Sequence, residues 1–302
     1  MIVIGSRGSA LALWQARHIQ SRLAELGAES RIEIIKTTGD KIQDVPLAKV
    51  GGKGLFTKEI EEALLAGTID VAVHSMKDVP TEIPEGLTIA AIPEREEARD
   101  ALVGCSLAEL NAGSRIGTSS LRRASQLRAL HLGVTIETLR GNVDTRLRKL
   151  DEGQYDAIVL AAAGLRRLGW QDRIRELIPA DIMCPSVGQG ALAIETRDPD
   201  HKDSGDAWRL VKKLDRAEAR AAVEAERALL ATLGGGCQVP VGAHATLEGG
   251  TIHLRAIVAS PDGLRMVRAE ATGMDPQRVG EDLGREMLER GAREILRDVY
   301  AA

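Results

Sequence analysis

Cys237 follows three glycines, Gly234-Gly235-Gly236, and is itself followed by Gln238, Val239 and Pro240. Glycine opens backbone conformations closed to other residues and proline ends a helix, so this cysteine belongs on a tight turn. A thiol buried for packing alone has no use for glycines that pack nothing. A thiol that something bulky must approach does, so Cys237 is a candidate attachment point or nucleophile. A second chemical group is Lys77-Asp78, which follows an apolar run that reads as a strand, Thr68–Val73. In open α/β sheets the residues past a strand's carboxyl end face the ligand crevice, which puts an acid for proton transfer beside a cation. The third group is arginine: from Arg115 to Arg148 seven arginines stand against two acids, Glu137 and Asp144. Of these, Arg122, Arg123, Arg140 and Arg146 fall at loop–helix junctions of successive α/β units, converging on one crevice edge. Their planar forks suit carboxylates or phosphates, and a small polyanion is favoured.

Composition narrows the class. With 302 residues the chain can build two or three well-cored domains. Lys and Arg total 40 against 44 acids, for a net charge of −4, and aromatics are 2%. That balance argues against a nucleic-acid coat and against base-stacking platforms. The cysteines Cys105, Cys184 and Cys237 show no CxxC spacing and the six histidines no paired spacing. Reduced thiols in a cytoplasmic protein without a metal site are expected. The opening Met-Ile-Val-Ile-Gly-Ser-Arg lacks a basic segment ahead of a long apolar run, and no stretch has membrane-spanning length, so neither export nor a membrane is expected.

The elements that must position these groups follow from periodicity. A short strand at 2–4 leads through Gly5-Ser6-Arg7-Gly8-Ser9 into a helix with Leu11, Trp14, Ile19, Leu23 and Leu26 as its stripe and Gly27 as its stop. Ser9 is its N-cap and Arg7 lies just before its positive end, an anion site. The glycines are spaced GxxG, so the dinucleotide fingerprint is absent. A strand at Arg31–Lys36 follows. Lys49-Val50-Gly51-Gly52-Lys53-Gly54 lacks the residues of a Walker loop and reads as a glycine-hinged lid ahead of Phe56 and a helix to about Ala66.

Leu64, Gly67, Asp70 and Val73 recur at the same spacing as Leu150, Gly153, Asp156 and Val159, which predicts two similar α/β domains facing one crevice. The second has a strand at Arg115–Gly117, a hydroxyl cap at Thr118-Ser119-Ser120, a helix to about Leu130 and a strand at Val134–Leu139. Pro185–Gly190 reads as a hinge that returns a strand, Ala191–Glu195, to the first domain. A helix at Ala217–Leu233 delivers Cys237, and strands at Val241–Leu247, Thr251–Ser260 and Leu264–Thr272 with a helix from Pro276 make a small α+β domain. The expected division is 1–94 with 189–214, then 95–188, then 215–302.

Seven blocks carry a family resemblance: Leu11–Gln15, Pro46–Phe56, Val73–Pro80, Gly117–Arg123, Leu139–Leu147, Val187–Glu195 and Gly235–Gly242. In that order they resemble the porphobilinogen deaminase (hydroxymethylbilane synthase) family across nearly the whole chain. The resemblance implies a transferase of tetrapyrrole biosynthesis that joins four porphobilinogen molecules head to tail with loss of ammonia. It implies two domains of the type II periplasmic-binding-protein kind and a third with a three-stranded antiparallel sheet. A dipyrromethane cofactor would be held by a thioether to Cys237, contacted by Lys77, Asp78, Thr118, Ser120, Arg122, Arg123, Arg140, Arg146 and Gln189. Asp78, Lys77 and Arg7 would be catalytic, and Arg7, Ser9, Phe56, Arg140 and Arg146 would bind substrate. A cytoplasmic monomer handing its product to uroporphyrinogen III synthase is implied. One departure is Ala10, where many relatives have proline. Two other readings of the residues are a cysteine hydrolase pairing Cys237 with His74 or His244, and a non-catalytic anion-binding module.

Overall fold

The computed structural model describes residues 1–41, 54–200, 206–234 and 239–301. Of the lid expected at Lys49–Gly54, all but Gly54 lies outside the described residues, as does the segment Gly235–Gln238 with Cys237. Along the chain come strand β1 (Ile2–Ser6), helix α1 (Ala10–Glu25), β2 (Ser30–Ile34), α2 (Lys58–Leu65), β3 (Val71–Ser75) and β4 (Leu87–Ala91). Next are β5 (Asp100–Val103), β6 (Arg115–Gly117), α3 (Leu121–Ala129), β7 (Thr135–Glu137), α4 (Val143–Asp151), β8 (Ala157–Ala161) and β9 (Glu176–Leu177). Then follow β10 (Leu192–Arg197), α5 (Ala217–Thr232), β11 (Val241–Glu248), β12 (Thr251–Ala259), β13 (Met266–Gly273) and α6 (Pro276–Met287). None of the described helices is long and apolar enough to cross a membrane.

The chain forms two compact units, one of Met1–Glu96 with Ala191–Arg220, the other of Glu97–Gly190 with Ala221–Ala302. The first contains a five-stranded sheet in the order β2-β1-β3-β10-β4. The second contains a sheet in the order β7-β6-β8-β5-β9 and a three-stranded antiparallel sheet, β11-β12-β13. The two larger sheets match position by position. In each, four strands share one direction and the strand fourth in order lies antiparallel between its neighbours: β10 between β3 and β4, and β5 between β8 and β9. The two α/β domains expected from sequence, and the small α+β domain, are what the chain adopts.

The repeated Leu-Gly-Asp-Val pattern has a physical basis. Gly67 and Gly153 take φ of 69° and 72°, which reverses the chain after α2 and α4 without a Cβ penalty. The aspartate three residues on then pairs with the parallel strand beside the one it leads into, β1 for Asp70 and β6 for Asp156. Val3 N–H donates to Asp70 Oδ2 at 2.9 Å while Asp70 N–H donates to the Val3 carbonyl at 2.9 Å. Arg115 N–H donates to Asp156 Oδ2 at 2.7 Å while Asp156 N–H donates to the Arg115 carbonyl at 2.9 Å. Strand β3 begins three residues later than the sequence predicts. Thr68 and Ile69 N–H groups turn back to the Ala63 carbonyl at 3.1 and 3.4 Å and close the end of α2, so pairing starts at Val71 and continues through His74 and Ser75.

Apolar faces fill in layers. Ala16, Ile19 and Leu23 of α1 pack on Val71, Val73 and Ile194, while Ile60 and Leu64 of α2 cover Ala72 on the opposite face. In the antiparallel domain, α5 and α6 approach so closely that a Cβ at Gly280 would run into the Ala225 carbonyl. Gly249 and Gly250, at φ of 57° and 82°, make the two-residue turn between β11 and β12.

The 0%-exposed Glu226 of α5 is a polar clamp in this interior. Gly188 N–H donates to its Oε2 at 2.6 Å and Ala245 N–H to its Oε1 at 2.8 Å, tying the 185–190 segment to β11. Hydrogen bonds to a charged acceptor contribute about 1.5–3 kcal/mol each, and stranded buried donors add to the loss. Glu226→Ala is therefore expected to lower unfolding free energy by about 3–5 kcal/mol, measured by urea denaturation at neutral pH.

Candidate functional site

In the first unit the chemistry gathers at the carboxyl ends of β1 and β3. Ser9 caps α1 with extended backbone (φ −69°, ψ 150°), its Oγ accepting the Ala12 N–H at 3.3 Å. Arg7, in the turn before that cap, lays its guanidinium over the Phe56 ring at 4.2 Å from the centroid. Such cation–π stacking contributes about 0.5–2 kcal/mol and fixes the plane of the fork. Directly after β3, Met76–Asp78 form a single 3₁₀ turn. Met76, 1% exposed, anchors it, with its N–H donating to the Ala191 carbonyl at 3.0 Å. Lys77 and Asp78 are thereby held half-buried on a rigid turn. Gln15 of α1, itself buried, donates from Nε2 to Ser75 Oγ at 2.9 Å and ties the helix to the strand end. Together Arg7, Ser9, Gln15, Phe56, His74 and Asp78 line a cavity of about 60 Å³. A carboxylate, a guanidinium and an aromatic face thus meet in one recess.

The arginines of the second unit divide into two groups. Arg122 and Arg123, in the first turn of α3, are 4% and 6% exposed and converge on Asp100, which is 0% exposed. Arg122 Nη1 lies 2.8 Å from Asp100 Oδ2 and Arg123 Nη2 2.7 Å from Oδ1. Arg122 also donates to the Cys184 carbonyl at 2.5 Å, and Arg123 to that of Val159 at 3.0 Å. Gln189 Nε2 completes the cluster, donating to Asp100 Oδ1 at 2.9 Å and to the Ala98 carbonyl at 2.7 Å. Burial alone would push the Asp100 carboxyl up, but the Arg122 and Arg123 charges outweigh it and hold it well below the usual carboxylate range. Burial pulls Arg123 down. Arg140 and Arg146 flank Gly141 (φ 111°) and stay half-buried, Arg146 Nε donating to the Gly141 carbonyl at 2.8 Å. Thr118, buried, accepts the Ser120 N–H at 3.2 Å, and Ser120 caps α3 by accepting the Arg123 N–H at 3.4 Å.

Sequence reasoning reached Arg7, Ser9, Lys77, Asp78 and the arginines, and missed Asp100. The available signal was an acid opening the apolar run Asp100–Val103, whose four residues are all buried. Among the thiols, burial pushes Cys105 up and Cys184 up to about 12, so neither is an activated nucleophile. His74, one of the two bases considered for a cysteine hydrolase, lies 3.0 Å from Glu195 through Nε2.

Residues 2–204 match the family model "Porphobilinogen deaminase, dipyromethane cofactor binding domain", and residues 220–289 match "Porphobilinogen deaminase, C-terminal domain". A porphobilinogen deaminase from Syntrophobacter fumaroxidans is 54% identical, covering 100% of this chain and 99% of that one. One from Geobacillus kaustophilus is 51% identical over 99% of this chain and 97% of its own. A looser overlap is with an ABC-transporter periplasmic substrate-binding protein from Coxiella burnetii, 12% identical, covering 72% and 93% of the two chains with a TM-score of 0.43.

Asp100→Asn would leave two buried guanidiniums without their counter-charge, at a cost of about 3–5 kcal/mol at pH 7. Because the folded carboxyl titrates below its unfolded value, its contribution is fully present above about pH 4 and is lost as pH falls further. The wild-type urea midpoint should therefore drop more steeply from pH 5 to pH 2.5 than that of Asp100→Asn, a comparison made by denaturation at a series of pH values.

Proposed function

The chain belongs to the porphobilinogen deaminase family, transferases that join four porphobilinogens into the linear tetrapyrrole hydroxymethylbilane on a dipyrromethane cofactor, and from that premise we propose how its residues divide the work. Cys237 anchors the cofactor through a thioether. Asp78 handles protons and faces the positive charge that develops as ammonia leaves, with Lys77 assisting. Arg7, Ser9 and Phe56 receive the incoming substrate. Arg122, Arg123, Thr118, Ser120 and Gln189 hold the cofactor, and Arg140 and Arg146 serve cofactor and substrate alike. The observation that carries this reading is the recess lined by both Asp78 and the Phe56-stacked Arg7.

The donor set fits the cofactor, whose acetate and propionate groups call for guanidinium forks and hydroxyls. Half-buried Arg7, Arg140 and Arg146 provide the forks, and Ser9, Thr118 and Ser120 the hydroxyls. When bound, the cofactor supplies the free pyrrole end onto which units are added. Around it the protein holds each carboxylate, fixes Asp78 on a rigid turn, and keeps the acid close to the carbon that loses ammonia. The three-domain division 1–94 with 189–214, 95–188 and 215–302 belongs to this proposal and is supported by each sheet falling within one range. So do a monomeric, cytoplasmic enzyme without nucleic-acid or membrane partners, and delivery of its product to uroporphyrinogen III synthase, the ring-closing step that a linear tetrapyrrole requires.

A positioned acid or base contributes about 10²- to 10⁴-fold. Folded Asp78→Ala should lose at least about 100-fold in turnover while Asp78→Glu retains more, and near-normal turnover of the alanine variant would refute the assignment.

The arginines are expected to act at different stages. Losing one charge-assisted hydrogen bond of about 1.5–3 kcal/mol slows the step that depends on it by about 10- to 150-fold. Arg7→Leu should carry the adduct yet stall with one to three extra pyrroles, whereas Arg122→Leu and Arg123→Leu should lack the adduct, as should Cys237→Ala. Mass spectrometry of each variant after brief incubation with porphobilinogen reads this out. Identical distributions in all the arginine variants and wild type would overturn it.

A further inference from the structure

Behind the recess three titratable side chains meet out of solvent. β3 and β10 run antiparallel with Ala193 opposite His74 and Glu195 opposite Ala72, so His74 and Glu195 are diagonal neighbours on the face that α2 covers. Their side chains are 4% and 0% exposed, with His74 Nε2 3.0 Å from Glu195 Oε2. From α2, the buried Glu61 lies within electrostatic reach of both. Among the described residues, Oε1 of Glu61 and Oε1 of Glu195 have no hydrogen-bond partner. A proton placed between two buried carboxylates turns their mutual repulsion into an O–H donor. Burial pushes the Glu61 carboxyl up and outweighs the Thr57 hydroxyl, which pulls it down; the Glu195 charge adds to the rise and His74 opposes it.

The surrounding elements bring little else to this face. β1 and β4 carry no titratable side chain. Arg197 of β10 is committed to the Leu64 and Ile69 carbonyls and to Asp70. On α2, Lys58 and Glu62 are exposed and pair with each other, and Glu59 accepts from Thr38. On the recess side the charges are Arg7 and Asp78. A cluster needed only for packing would be served as well by apolar side chains, without orphaned oxygens. Of the three residues only His74 lines the recess that Asp78 also lines.

We propose that Glu61, Glu195 and His74 hold one exchangeable proton in reserve for the recess, with His74 as its outlet. The inference rests on the reading of Asp78 given above. In each addition the carbon–nitrogen bond breaks with its electron pair going to nitrogen, and the departing amine takes one proton to leave as ammonia. The carbon–hydrogen bond broken at the joining position then releases one proton. The cluster lends the first and is refilled by the second, so the balance is zero. Glu61, Glu195 and His74 are positioning residues, because they act through Asp78.

The test uses infrared spectroscopy of the adduct-free Cys237→Ser protein near pH 7, which removes the carboxyls the cofactor brings. A buried protonated-carboxyl band should be present and should vanish in Glu61→Gln. In cofactor-loaded enzyme, Glu61→Gln should lower kcat at least about 10-fold at unchanged KM and flatten the alkaline limb of the pH profile, which the reserve sets by emptying as pH rises. His74→Gln should keep the band and show the same loss of kcat. An absent band overturns the cluster and leaves the Asp78 assignment standing, whereas a band that persists alongside near-normal turnover of Asp78→Ala overturns the Asp78 assignment and leaves the protonated cluster. Unchanged kcat and pH profile in both Glu61→Gln and His74→Gln also sink the reserve.

Discussion

Removing the Asp100 carboxylate entirely from water is tolerated because two adjacent guanidiniums from the first turn of α3 and an amide from Gln189, far along the chain, reach it. The partners are bound in turn. Arg122 and Gln126 both donate to the Cys184 carbonyl while Gln126 Oε1 accepts the Cys184 N–H, so the segment before the 185–190 crossing is held from α3. Gly188 in that crossing is gripped by Glu226, which also grips β11. The polar interior of the second unit is thus one connected lattice running from the first strand of its α/β sheet to the antiparallel domain. In a low-dielectric interior such a lattice is worth having only when nearly every member is satisfied, which makes it unforgiving of single substitutions.

Much of this was legible in the residues. Alternation, glycine stops and the repeated Leu-Gly-Asp-Val spacing located the strands and the paired domains, because those signals are local. The start of β3 was misplaced because Thr68 and Ile69 have strand-forming side chains, yet their N–H groups are claimed by Ala63. That shift puts His74 inside the sheet, where its neighbours are set by pairing with β10, more than a hundred residues away. Asp100, Glu226 and Glu61 were invisible for the same reason: an acid looks alike in sequence whether it faces water or a buried guanidinium.

The arginines show where composition misleads. Their excess between Arg115 and Arg148 reads as one anion-binding set, and Arg122 and Arg123 in addition neutralise a buried aspartate, while Arg140 and Arg146 remain half-exposed around a glycine turn. Local charge counts do not show which cations also share their charge with a buried partner. Arg7 is different again, since stacking on the only phenylalanine orients it without burying its charge.

The antiparallel fourth strand has a bearing on how the chain is made. β4 hydrogen-bonds to β10 and to no other described strand, and β3 is completed on that side by the same partner. A ribosome releasing the chain from its first residue therefore delivers β1 to β4 long before residue 192 appears. During that interval the second sheet, whose strands span residues 100–177, has everything it needs to close. The later-numbered domain can mature first, while the earlier one waits with two open strand edges, the sort of surface that chaperones shield and that pairs wrongly when crowded.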